Sequence, residues 1–171
     1  MLRLILAFVE IAFHRRSPES LPSSRGFFVT VLVMNIVLAV ATSRYLQLVA
    51  YPELMIAFDT IFELAFIWGV LRMFGHERRF RQTAVAVLGV DVLLGLLNMA
   101  LLTWHRALNV PKDEVTIPYM LTLVVVIWSV DVSSFVLSRA IERPYVLTAA
   151  IMLGYLLLSI SADATFFPSS K

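Results

Sequence analysis

Five long apolar runs, at about 26–43, 54–71, 82–104, 115–138 and 145–162, are separated by short charged clusters along this chain. Each is close to the roughly 20 residues that an α-helix needs to cross the hydrocarbon core of a bilayer. In hydrocarbon every backbone N–H and C=O must be satisfied within its own segment, so runs of this kind fold as helices. Apolar side chains make up 60% of the 171 residues and charged ones 15%, with a mean hydropathy of +0.85. That is too little charge to cover a soluble domain. The expected fold is all-α: a polytopic integral membrane protein forming one membrane domain over 1–171, with a bundle of five transmembrane helices.

Ahead of the first run, Met1 to Phe13 is apolar but only about two-thirds of a spanning length. It is expected to be an amphipathic interfacial helix over 1–14, lying on the membrane. On a helix Arg3, Ala7, Glu10 and His14 form one narrow stripe, with Leu2, Ile5, Leu6, Val9 and Phe13 around the rest. A secretory signal peptide is disfavoured, because His14-Arg15-Arg16 stands where a small-residue cleavage site belongs. Residues 15–25 then read as a cytoplasmic elbow. Ser17 precedes Pro18 as an N-cap precedes a first helical proline, and Leu21-Pro22-Ser23-Ser24 is a second break.

The loops differ in charge, and that difference orients the chain. With the amino terminus in the cytoplasm, the inside segments hold Arg3, Arg15, Arg16, Arg25, Arg72, Arg78, Arg79, Arg81, Arg139 and Arg143, ten of the 14 lysines and arginines. The other four are Arg44, Arg106, Lys112 and Lys171. The positive-inside rule therefore predicts amino terminus in and carboxyl terminus out, in a cell inner membrane. The second span is the least secure by hydropathy, since it carries two acids. Tyr51-Pro52 marks the turn before it, and Pro168 follows the last span.

Four carboxylates, Asp59, Glu63, Asp91 and Asp131, fall inside expected spans. An ionised carboxylate there costs at least about 2.5 to 3.5 kcal/mol on insertion scales, so each must face protein or water or carry a proton. Asp59 and Glu63 are four apart and share a helix face. Asp91, Gly95 and Asn98 share one face of the third span, and Asp131, Ser134 and Ser138 one face of the fourth. These faces are expected to meet in a polar seam of Asp59, Glu63, Asp91, Asn98, Asp131 and Ser134. Two readings stay open: a proton or cation path along the seam, or hydrogen-bonded contacts that hold helices together, each contributing about 0.6 kcal/mol.

Other chemistries find less support. With no cysteine in the chain, disulfides, thiolate metal sites and cysteine nucleophiles drop out. His14, His76 and His105 fall at expected membrane edges, whereas a bis-histidine haem needs imidazoles at depth. A di-iron site lacks its Glu-x-x-His pairs. Ser129, Ser133 and Ser134 have no histidine at their depth to serve as base, and Val90 stands where intramembrane aspartyl proteases carry glycine before the aspartate. No enzyme, metal or other cofactor is expected. No basic stripe with interleaved aromatics points to nucleic acid.

Arg15, Arg16, Arg78, Arg79 and Arg81 are candidate contacts to anionic lipid headgroups or to a partner. The segment Arg16-Ser17-Pro18-Glu19-Ser20-Leu21-Pro22, followed by five closely spaced spans and a short outside tail, resembles small bacterial membrane proteins of the Yip1 type. The eukaryotic members have five spans and act as adaptors in vesicle trafficking, and their Asp-Leu-Tyr-Gly-Pro element is absent here. The resemblance implies a non-enzymatic adaptor, scaffold or assembly subunit. Its expected partners are the bilayer together with another membrane protein, a cytoplasmic protein or a second copy of the chain. The alternative is a small proton- or cation-linked transporter or channel component using the intramembrane carboxylates.

Overall fold

The computed structural model describes residues 2–46, 52–109 and 114–167. Tyr51, Lys112, Pro168 and Lys171, used above as boundary and charge markers, lie outside them, as does the side chain of Arg3. The described chain is all-helical: α1 Leu2–Ala12, α2 Arg25–Leu46, α3 Pro52–Met73, α4 Phe80–Ala107, α5 Ile117–Ile141 and α6 Tyr145–Phe166. Short 3-10 turns occupy Pro18–Ser20 and Glu77–Arg79. The last five helices are long and apolar enough to span a membrane. The run containing Asp59 and Glu63 forms a helix as continuous as its neighbours, because hydrogen bonding along the backbone does not depend on the side chains it carries.

Helix α4 is the hub. It packs against α5 and α2 along most of its length, and against α1 and α3 over shorter stretches. Its segment Thr83 to Val90 is buried on every side, as expected for an apolar helix enclosed by others. α6 packs on α5, and α3 is attached to α2, α4 and α6. Two ends can be distinguished. The basic end carries the start of α2, the α3–α4 turn and the α5–α6 turn. The far end carries Arg44, Arg106 and the start of α5.

The basic end is tied by Arg79. Its guanidinium donates to the carbonyls of Arg139 (3.3 Å) and Ala140 (3.1 Å) and to Glu142 (2.6 Å). These carbonyls are among those that the end of α5 leaves without intrahelical partners, and a cation there also complements the helix dipole. Glu142 itself is left-handed, with φ 55°, and closes α5 while Arg143 N–H donates back to Ser138 O at 3.2 Å. At the far end Arg44 pairs with Glu53 across α2 and α3, Arg106 donates to Tyr45 O at 2.8 Å, and His105 Nδ1 lies 2.6 Å from the Thr116 hydroxyl that caps α5.

The structure places α1 differently from the surface position expected for it. Ala7 is 2% exposed and Ile11 fully buried, and Phe8 and Ala12 are buried beside them. Ala7 therefore belongs to the packed face, not to an outward polar stripe with Glu10. Gly89 on α4 makes room for this helix, since a Cβ there would overlap the Phe8 ring. Trp128 Nε1 donates to Ala12 O at 2.9 Å. Trp128 lies near the middle of α5, 13 residues or about 20 Å from Ile141. The end of α1 thus reaches into the bundle. Alternating small and large side chains fill a groove beside α4 and α5 that hydropathy alone cannot show.

Candidate functional site

Two of the three acids on α3 meet an acid on another helix, while Glu53 pairs with Arg44. Glu63, the midpoint of α3, faces Asp91 of α4 within hydrogen-bonding reach. Asp59, about one turn nearer the far end, faces Asp163 of α6 in the same way. An ionised carboxylate only accepts, so each contact is a hydrogen bond only when a proton lies between the two groups. Asp163 stands three residues before the end of α6. The four carboxyls therefore run from the far end of α6 to the midpoint of α3.

An aromatic stripe holds this line in place. Phe58, Phe62 and Phe66 recur every fourth residue on α3 and pack toward α6. Phe58 meets Phe166 at 5.5 Å and Phe167 at 5.6 Å between centroids, while Tyr155 contacts Phe62 at 5.8 Å and Phe66 at 4.8 Å. Such pairs favour offset or tilted rings at these separations. They bring α6 against the α3 face that also bears Asp59 and Glu63.

Beside the line, α2, α3 and α4 line an open-sided cavity of about 310 Å³. Its polar lining is Asn35, Thr42, Ser43, Asp59, Asp91 and Asn98. Gly95 lets α2 close one wall: a Cβ there would stand 3.2 Å from Leu38 Cδ2, tighter than ordinary contact. Among the described residues no donor reaches the buried Oδ1 atoms of Asp59, Asn98 and Asp163; for the facing Asp59 and Asp163 a shared proton supplies one. Leaving such groups unsatisfied costs about 1 to 3 kcal/mol each. This sets them apart from Thr60, whose hydroxyl donates to Ile56 O at 2.7 Å within its own helix.

The expected seam is thus assembled in part. Asp59, Glu63, Asp91 and Asn98 come together, but Asp131 and Ser134 do not line the cavity. Asp131 faces α1 and α6, accepting from Tyr145 at 2.6 Å and lying 3.2 Å from His14 Nε2. His14 caps α1 in a left-handed conformation, φ 57°, and stacks on Phe135 at 4.3 Å. Ser134 is fully buried, and its hydroxyl returns to Val130 O at 2.6 Å. Sharing a face with Asp131 was not enough, because that face of α5 looks away from α3. Asp163 falls one residue beyond Ala162, where the last span is expected to end, and Tyr155 lies inside that span but is not among the expected seam residues. The spacing Tyr155, Ser159, Asp163 is a readable polar stripe at intervals of four.

The basic candidates also divide. Arg79 is engaged as described, and Arg16 pairs with Glu10 at 3.2 Å and donates to Ser20 at 2.7 Å. Arg78 and Arg81 are exposed at the basic end, and Arg15 is exposed just after α1. Comparison of the chain with protein-family models, curated proteins and solved structures finds no match.

Proposed function

We propose that this chain is a small proton- or cation-linked membrane protein, a transporter or channel component, and that Asp163, Asp59, Glu63 and Asp91 form its working line. The supporting observation is the pairing of carboxyls across three helices, from the far end of α6 to the middle of α3, beside a cavity with an oxygen, Asn98 Oδ1, that no described residue partners. Intramembrane acids that face one another and a cavity are suited to receiving and passing a proton. The apolar segment Thr83 to Val90 closes the other half of the bundle, so passage through it requires helix movement. In this reading the basic end is cytoplasmic in a cell inner membrane, with the amino terminus in and the carboxyl terminus out.

The test is proton flux into liposomes holding the purified chain, followed with a trapped pH-sensitive dye under an imposed potential. Glu63→Gln and Asp91→Asn are expected to reduce flux to the level of empty liposomes. Undiminished flux in both variants overturns the reading.

A second reading, an adaptor or scaffold of the Yip1 type, is favoured by the exposed Arg15, Arg78 and Arg81. It requires a partner that copurifies in fixed proportion in mild detergent and is lost when these arginines are neutralised. Reproducible isolation as a lone monomer overturns it.

A further inference from the structure

We infer that the cavity between α2, α3 and α4 takes a small organic cation, an ammonium head on a short apolar body. This rests on the proposed cation-linked function and names the chemical class its cavity fits.

Three observations carry it. First, the acceptors: Asn98 Oδ1 is buried without a partner among the described residues, and Asp59, which meets Asp163 on one side, lines the cavity with it. Ser43 lines it too, at 7% exposure. An ammonium carries three donors and no acceptor, the complement of such a set. Second, the wall: Leu38, Ala39, Met55, Ile56 and Leu102 supply an apolar surface on which an alkyl body gains by leaving water. Third, the size: about 310 Å³ is at the small end of the range for organic ligands, roughly 300 to 1,000 Å³. A bare ion would leave most of it to water. Among the described residues no group of three or more His, Cys, Asp and Glu side chains could hold a metal ion, which also points away from a metal.

The pieces are placed by packing already described. Gly95 sets the distance between α2 and α4, and the Phe58 stripe holds α3 so that Asp59 borders both the cavity and Asp163. The cavity and the carboxyl line are therefore parts of one site.

The full chain in detergent is titrated calorimetrically with n-butylammonium chloride, n-butanol and sodium chloride as separate probes. Butylammonium is expected to bind, and butanol and sodium to give no saturable heat over the same range. Asp59→Asn should weaken butylammonium about thirtyfold or more, the effect of removing one partner from a desolvated charge pair. Ala39→Phe, which fills the cavity and keeps every acid, should abolish binding without shifting the melting temperature downward. It also serves as the variant of record should Asp59→Asn fail to fold. Equal binding of butanol, equal binding of sodium, or unchanged affinity in Ala39→Phe overturns the inference. Liposome flux that depends on Glu63 and Asp91, in a protein that does not bind butylammonium, overturns this inference alone. Binding of butylammonium without such flux overturns the proton path and leaves the cation site standing.

Discussion

The two halves of α4 make opposite use of the same helix. From Thr83 to Val90 all eight residues are buried, enclosed by α2, α5 and the inserted α1. From Asp91 onward the helix presents Asp91, Gly95 and Asn98 to a cavity, with Leu96 and Leu97 turned outward at 51% and 41% exposure. The boundary falls between neighbouring residues, Val90 and Asp91. On the basic side α1 supplies the covering face, so the half is dry. On the far side no comparable element among the described residues covers the polar stripe, and Glu63 of α3 meets Asp91 there instead. Spans of similar hydropathy thus contain a sealed half and an open polar half, and the short helix outside the five spans makes the difference.

The largest expected effect comes from exchanging polarity across that boundary. Val90→Asp puts an unpaired carboxyl into the dry half and should destabilise by about 3 kcal/mol or more, seen as loss of the monodisperse peak in size exclusion. Asp91→Val leaves Glu63 without its partner and should cost about 1 to 3 kcal/mol, the penalty for a buried polar group left unsatisfied. Equal tolerance of both breaks the comparison.

Next, Gly89→Leu should displace the Phe8 ring and loosen α1, at an overpacking cost of about 1 to 3 kcal/mol. The chain has no cysteine, so Ala7→Cys gives a single reporter. It should resist maleimide in the parent and react once Gly89→Leu is added, and resistance in both would mean α1 is held by other contacts. Arg79→Ala should cost about 1 kcal/mol, measured by thermal unfolding. Its pair with Glu142 is one-third exposed on the arginine side, and screening discounts such contacts. High salt should therefore shrink the difference. The smallest effect is expected for Arg78→Ala, within about 0.5 kcal/mol as for other exposed sites; a larger loss would indicate that the basic rim supports the bundle.

The sequence alone was sufficient for the number, class and approximate limits of the spanning helices. Backbone hydrogen bonds in hydrocarbon must close within each segment, so length and hydropathy decide. It also marked Asp59, Glu63, Asp91 and Asn98, since intramembrane polar groups stand out one by one, and it marked Gly95 as a place of close approach. It could not say which stripes face one another. Asp131 and Ser134 share a face as regular as that of Asp91 and Asn98, yet they look toward α1 and α6, because the rotation of α5 is set by packing its valines on α4. Asp163 was hidden by falling one residue beyond the expected span boundary, where hydropathy changes gradually and a helix end does not. The groove that receives α1 depended on Gly89 lying opposite Phe8, residues about 80 positions apart whose fit belongs to tertiary packing alone.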